Sequence, residues 1–241
     1  MHRIRIALAA VVAALAVVLP AGTASAAAEI TIGTHNTLRG DASFERFAGV
    51  IGWQEVESVA ARDKLRARLG AEYKTYWAPD DPARSIPISY RADRFTLLSS
   101  GSVRTHPGEA GVTPARYVNW VVLQVAGSGP RLIVVNTHFI SGAWSGKPER
   151  QARWLRHRDV IKAEVATLRA RHPDLPLFVV GDFNRAQAVS FAAPVEWVPV
   201  QGVSGTPIDH MYAPSTIPHS KVTRLDKWGS DHFAYRLSAT V

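Results

Sequence analysis

The sequence predicts one domain of the α/β or α+β class. Two observations carry that expectation. Short apolar runs recur along the chain between turn-forming residues, as strands do, and two longer segments carry helical periodicity. A third observation bounds it: after the first 26 residues there is no internal repeat, no low-complexity stretch and no Pro/Gly/Ser-rich linker. Strands mixed with helices over this length fit a single core.

Taken in order, the chain begins with a three-part leader. Arg3 and Arg5 form a short basic head, residues 7–19 are an unbroken apolar run, Pro20 and Gly22 break it, and Ala24-Ser25-Ala26 offers the small residues that a signal peptidase reads. The apolar run is shorter than the roughly 20 residues of a bilayer span. The expectation is a signal peptide over 1–26, a domain over 27–241 and a secreted, extracellular protein with no transmembrane segment in the mature chain. Strands are expected at 30–34, 85–90, 117–125, 132–136, 177–180 and 233–237, and helices at 60–69 and 148–171. YVNWVVLQV mixes alternation with a continuous apolar stretch, as a strand buried on both faces does. In the longer helix, Pro148 suits the first turn, Trp154, Leu155, Ile161, Val165 and Leu168 fall on one stripe, and His172-Pro173 stops it.

Composition limits the chemistry. With no cysteine, a thiol nucleophile, a thiolate zinc site and an iron–sulfur cluster are excluded. The whole chain has a formal net charge of +8; the first 26 residues hold two arginines and no acid, which leaves +6 for the mature chain. That balance favours anionic partners, nucleic acid or phospholipid headgroups among them.

The chemistry-bearing residues sit where apolar periodicity stops. ITIGTHN ends on Asn36, VIGWQEV carries Glu55, LIVVNTHF carries Asn136 and His138, and LFVVGDFN carries Asp182 and Asn184. GTPIDHMY brings Asp209 and His210, and GSDHFAY brings Asp231 and His232. Any one of these is ordinarily a turn residue or a satisfied structural histidine. Together they are costly, because gathered carboxylates repel unless a cation or proton compensates. Oxygen donors without sulfur suit a hard cation, Mg²⁺ first, with Mn²⁺ or Ca²⁺ as alternatives. Imidazoles beside carboxylates can activate water or stabilise charge on a phosphoryl group. The expected reaction is hydrolysis of a phosphate ester.

These motifs, in this order, resemble the endonuclease/exonuclease/phosphatase superfamily, which includes pancreatic-type deoxyribonucleases, abasic-site endonucleases, bacterial sphingomyelinases and inositol-phosphate phosphatases. The resemblance runs from about residue 30 to 241, through THN, WQEV, ISYR, ARYVNWVVL, VVNTHF, VVGDFN, PIDHMY and GSDH. It implies a four-layered sandwich of two packed, mainly antiparallel sheets flanked by helices. It also implies roles. Asn36, Glu55 and Asp231 resemble the metal-site residues, and Arg116 resembles an arginine that sits on the phosphate. His138 resembles the imidazole that stabilises phosphoryl oxygens. Asp182 and Asn184 resemble the pair that orients water and phosphate, and His232 resembles the imidazole facing the scissile phosphate, with Asp209 as its paired acid.

Only 19 positions separate Asn36 from Glu55, so FERFAGVIGWQEV is expected to supply a helix shorter than relatives carry there. Lys147, Arg150, Arg153, Arg156 and Arg158 are either a surface that tracks a phosphate backbone or a solvated helix face. The functional expectation is a metal-dependent nuclease acting on DNA or RNA as a monomer. The alternatives are sphingomyelinase-like or inositol-phosphate phosphatase activity, for which Trp144 and Trp197 are the sole candidate membrane aromatics, and a non-catalytic binding module.

Overall fold

A computed structural model describes residues 27–241, so the expected signal peptide over 1–26 lies outside the described residues. The chain runs β1 (Glu29–Asn36), β2 (Val50–Gln54), α1 (Val59–Leu69), β3 (Tyr73–Tyr76), β4 (Ile88–Arg91), β5 (Phe95–His106), β6 (Arg116–Val125), β7 (Arg131–His138), α2 (Pro148–Arg171), β8 (Leu177–Asp182), β9 (Val195–Trp197), β10 (Asp209–Pro214), β11 (Thr223–Arg224) and β12 (Tyr235–Thr240). Two six-stranded sheets result, in the orders β11-β12-β1-β2-β4-β3 and β5-β6-β7-β8-β10-β9. Each is antiparallel except for one central parallel pair, β1 with β2 in the first sheet and β7 with β8 in the second.

Period-2 alternation builds three apolar layers from these strands. Between the sheets lie Ile30, Ile32, Val50, Val121, Leu123, Leu132, Val134, Phe178, Val180, Met211 and Leu237. Their neighbours in sequence point the other way. Ile133, Val135, Leu177, Val179 and Tyr212 meet Trp154, Ile161, Val165 and Leu168 of α2. On the opposite side, Ile51 and Trp53 meet Phe44, Ala61, Leu65 and Leu69. The layers are therefore α1, sheet, sheet, α2, the expected four-layered sandwich. Helix α1 is capped by Ser58, whose hydroxyl accepts from the Ala61 N–H at 3.0 Å, an arrangement worth about 1 kcal/mol. Helix α2 has the bounds that Pro148 and His172-Pro173 predict. Among the described residues, no helix is long and apolar enough to cross a membrane.

Three expectations need correction. FERFAGVIGWQEV forms no helix: residues 44–49 are irregular chain that bends at 48–49 into β2, and Phe44, Ile51 and Trp53 are all drawn into the layer under α1. Residues 85–90 are not one strand, since Pro82–Ser85 is a 3-10 turn and β4 begins at Ile88. The twelve-residue β5 was not expected at all. As an edge strand it is half-exposed and rich in Ser, Gly and Thr, so it lacks an apolar run.

At one end the two sheets are sutured by buried amides. Asn136 donates from Nδ2 to the Trp53 carbonyl at 2.8 Å, and its Oδ1 accepts from Gln54 Nε2 at 2.7 Å. Gly52 permits that approach, since a Cβ there would stand 2.7 Å from Asn136 Oδ1. Asn136 is thus a structural tie between the sheets.

Candidate active site

The sutured end is where the predicted residues gather. The central parallel pair of each sheet delivers two of them. Asn36 ends β1 and Glu55 follows β2; His138 ends β7 and Asp182 ends β8. Register then places Asp209, the first residue of β10, opposite Asp182. Gly181 makes the last step of β8 feasible: its φ is +146°, and a Cβ there would collide with the Thr137 carbonyl across the β7–β8 pair. Glu55 and Asn184 both hold left-handed backbone, with φ of 62° and 50°. For a glutamate that conformation is costly, which is common where a side chain must be aimed rather than relaxed.

Asn36 links the two sheets inside the pocket. Its Nδ2 donates to Glu55 Oε1 at 3.1 Å and to Asp182 Oδ2 at 3.0 Å, while its Oδ1 accepts from the Leu38 N–H at 3.1 Å. The amide therefore holds two carboxylates side by side. Glu55 Oε2 accepts from the Arg39 N–H at 2.9 Å. Asp182 Oδ1 accepts from the Asn184 N–H at 2.7 Å, and Asn184 Nδ2 donates to Asp182 Oδ2 and to the Phe139 carbonyl, both at 3.1 Å.

The two imidazoles are in different states. Burial holds His138 far below the usual histidine range, with Arg116 adding to the effect, so it is neutral. Arg116 Nη1 stands 3.3 Å from His138 Nδ1. A guanidinium has only donors, so Nδ1 is the acceptor and the proton is on Nε2. That N–H points into the pocket, 3.4 Å from Asp182 Oδ2 and 3.8 Å from Glu55 Oε1. His232 Nδ1, in contrast, is 2.8 Å from Asp209 Oδ2. Burial opposes charge on His232, but the Asp209 hydrogen bond and the charges of Asp209, Asp182 and Asp231 prevail and raise its pKa to about 9. His232 is therefore an imidazolium at neutral pH, with Nε2 3.9 Å from Asp182 Oδ2. Burial, then Asp209, pushes the Asp182 carboxyl up to about 7 against the pull of His232, Asn184 and Asn36. Asp209 is raised by burial as well.

All nine predicted site residues lie at this end of the sandwich, but not equally deep. Asp182, His138, Asp209 and Arg116 are buried. The Asp231 side chain is 64% exposed and reaches the others only through His232, 4.0 Å away. The donor set suits a hard divalent cation. Glu55 and Asp182 lie in the field of the buried Arg116, and Asp209 Oδ1 is buried with no hydrogen-bond partner. Asp182, Asp209 and His232 also offer ligand atoms within 4.8 Å of one another. That grouping centres deeper than Glu55 and Asp231, and the Nδ1 bond to Asp209 commits one of its members.

Sequence reasoning missed the supports. Ser230 Oγ donates to the Asn36 carbonyl at 2.7 Å and accepts from the His232 N–H at 3.1 Å, which fixes the loop that carries His232. Its only signal was the serine of GSDH. His210 is a support too: it hydrogen-bonds the Pro207 carbonyl at 2.8 Å and stacks on Phe183 behind the pocket. Tyr90 lies in the inter-sheet core. In the basic cluster, Arg150 and Arg153 both pair with Glu109, so they brace the β5–β6 loop.

No protein-family model matches the sequence, and no curated protein does. Solved structures do match. An endonuclease/exonuclease/phosphatase family protein from Bacteroides thetaiotaomicron aligns with a TM-score of 0.69 at 16% identity, over 90% of this chain and 96% of that one. A mannosyl-6-phosphatase from the same organism aligns at 0.67 and 16% identity, over 88% and 99%. The human Nocturnin catalytic domain aligns at 0.66 and 16% identity, over 88% and 94%. The chain therefore has the endonuclease/exonuclease/phosphatase fold, as its ordered motifs suggest.

Proposed function

We propose that the protein is a secreted, metal-dependent hydrolase of phosphodiesters that acts on nucleic acid. The observation that carries this reading is the pairing of unlike groups in one pocket: a neutral His138 and an Asp209-held imidazolium, His232, whose Nε2 atoms both approach Asp182 Oδ2. A phosphoryl group placed there meets a neutral donor, a charged donor and a buried guanidinium, and charge that develops on its oxygens is stabilised by preorganised groups. Asp182, poised near neutrality, is suited to accept a proton from attacking water, and Asn184 to hold the phosphate or the water in line. Glu55, with Asn36 steadying it and Asp231 at the rim, would hold a divalent cation, Mg²⁺ being the first choice. Bound there, the cation supplies Lewis-acid polarisation of a phosphoryl oxygen.

The net positive charge and the expected export support a nucleic-acid substrate over a lipid. The exposed large apolar side chains, Val59, Leu98, Val112, Trp144 and Ile208, include one aromatic and form no aromatic-rich hairpin of the kind a membrane-docking sphingomyelinase needs. Trp197 is a three-residue strand's end and packs onto the α2 layer. The test is hydrolysis of plasmid DNA, RNA and sphingomyelin vesicles by the purified mature chain, with and without chelator. Nicking of nucleic acid that chelator abolishes and Mg²⁺ restores is the expected result. Release of phosphocholine, or turnover indifferent to chelator, would overturn it.

A further inference from the structure

Beside the pocket, on the side of the second sheet, lies a cleft of about 230 Å³. It begins one residue from the catalytic set, because Arg185 follows Asn184 directly. Arg158 and Lys162, one turn apart on α2, Arg185, Gln187 and Ser190 line it over a floor of Trp154. No acid lines it. Among the described residues neither Lys162 nor Arg185 is paired with a carboxylate. Arg158 has only the neighbouring Asp159, an exposed pair of the kind that contributes little and exchanges readily. Three cations are therefore gathered in a concave site with no counter-charge of consequence, an arrangement whose field favours an anion.

Two features fix its geometry. Trp154 donates from Nε1 to the Phe183 carbonyl at 2.8 Å, which pins this face of α2 to the segment that ends in Asn184. The Arg185 guanidinium lies 3.4 Å from the centre of the Trp144 ring and 5.5 Å from that of Trp154. Trp144 meets Trp154 edge-on at 5.0 Å and is itself 43% exposed. The loop that carries Trp144 leaves β7 just after His138, so cleft and tryptophan both flank the catalytic end of the second sheet.

We propose that the cleft is a second phosphate subsite, which holds a backbone phosphate of a single-stranded nucleic acid while Trp144 stacks on one of its bases. This rests on the hydrolase reading for the position of the scissile phosphate. A recurring phosphate explains a second cationic pocket next to the first, and an exposed indole steadied by a guanidinium is a stacking platform that an unpaired base can use. A duplex keeps its base faces covered, and a single lipid phosphodiester has no second phosphate to offer.

The test separates this subsite from the reaction. Binding of a fluorescent single-stranded 12-mer is measured by anisotropy in the presence of chelator, for the wild type, the Arg158→Ala/Lys162→Ala double variant and Trp144→Leu. In parallel, turnover of bis(p-nitrophenyl) phosphate is measured with Mg²⁺. Both variants are expected to raise Kd for the 12-mer about 10-fold, and the double variant to flatten the salt dependence by about 0.7 per lost phosphate contact. Turnover of the small diester should be unchanged. Unchanged Kd and salt slope in the double variant would overturn the subsite. So would a Trp144→Leu variant that loses binding to sphingomyelin vesicles while keeping the 12-mer, since that would make the tryptophan a membrane contact. A wild type that binds the 12-mer but turns over no diester would sink the hydrolase reading and leave the binding result standing.

Discussion

The two halves of the pocket are built differently. The half contributed by the second sheet is deep and stiff: the side chains of His138, Asp182 and Asp209 are 3%, 1% and 5% exposed, and each belongs to a strand. The half contributed by the first sheet, apart from the buried Asn36, is more open. Glu55 and His232 are 21% and 15% exposed, Asp231 is 64% exposed, and all three follow or precede strands rather than lie in them. Phosphoryl chemistry needs donors fixed against water, while a cation must enter and exchange its hydration shell. The difference in burial suits that division of labour.

The largest effect that tests the division comes from the stiff half. Asp182→Asn removes the proton acceptor and one charge that holds His232 protonated, so kcat should fall by about 10³-fold or more with the fold intact. Asp231→Asn, at the open rim, should cost about 10-fold and act mainly through the metal concentration required. Equal losses in the two variants, read from rate against Mg²⁺ concentration, would erase the distinction. Glu55→Gln sharpens it: Mg²⁺ affinity by calorimetry should fall about 10–100-fold, while Asn36 keeps Asp182 in place.

A smaller effect, on stability alone, tests the suture beneath both halves. Asn136→Ala removes the amide that serves the Trp53 and Pro87 carbonyls and accepts from Gln54, although Gln54 Nε2 keeps Thr34 Oγ1 and the Gly52 carbonyl. The loss should be about 2–4 kcal/mol in chemical denaturation. A change below 1 kcal/mol would mean that Asn136 is not the tie that holds the sheets at this end.

A last effect is a pH dependence. Burial among Phe47, Trp53 and Trp228 lowers the His35 pKa to about 4, against 6.5 when exposed. Between those values the folded chain keeps His35 neutral while the unfolded chain takes up a proton. Stability therefore falls as pH falls from 6.5 towards 4, by about 1.4 kcal/mol per pH unit, and the loss levels off below that. His35→Leu should flatten this part of the urea-midpoint curve against pH. An unchanged slope would assign acid sensitivity to other groups, of which His106 and His210 are likewise lowered to about 4 by burial.

Where periodicity is local, it was legible. The bounds of α2 follow from Pro148, one apolar stripe and His172-Pro173, and β6, β7 and β8 follow from apolar runs buried on both faces. FERFAGVIGWQEV was misread as a short helix because Phe44 and Phe47 have helical spacing, whereas the layer under α1 claims Phe44 and Trp53 without one. The edge strand β5 had no apolar signature to read.

The sequence by itself determined which residue types stand at the strand ends, and their order is enough to suggest the fold and the chemistry. Only the tertiary structure decided what each one does. Asn36 meets Asp182 across 146 positions, and Asp209 meets His232 across 23. The second meeting makes His232 an imidazolium, while burial beside Arg116 keeps His138 a neutral donor. The reason is physical: protonation follows burial and the nearest charge, and neither is a property of the residue or its sequence neighbours.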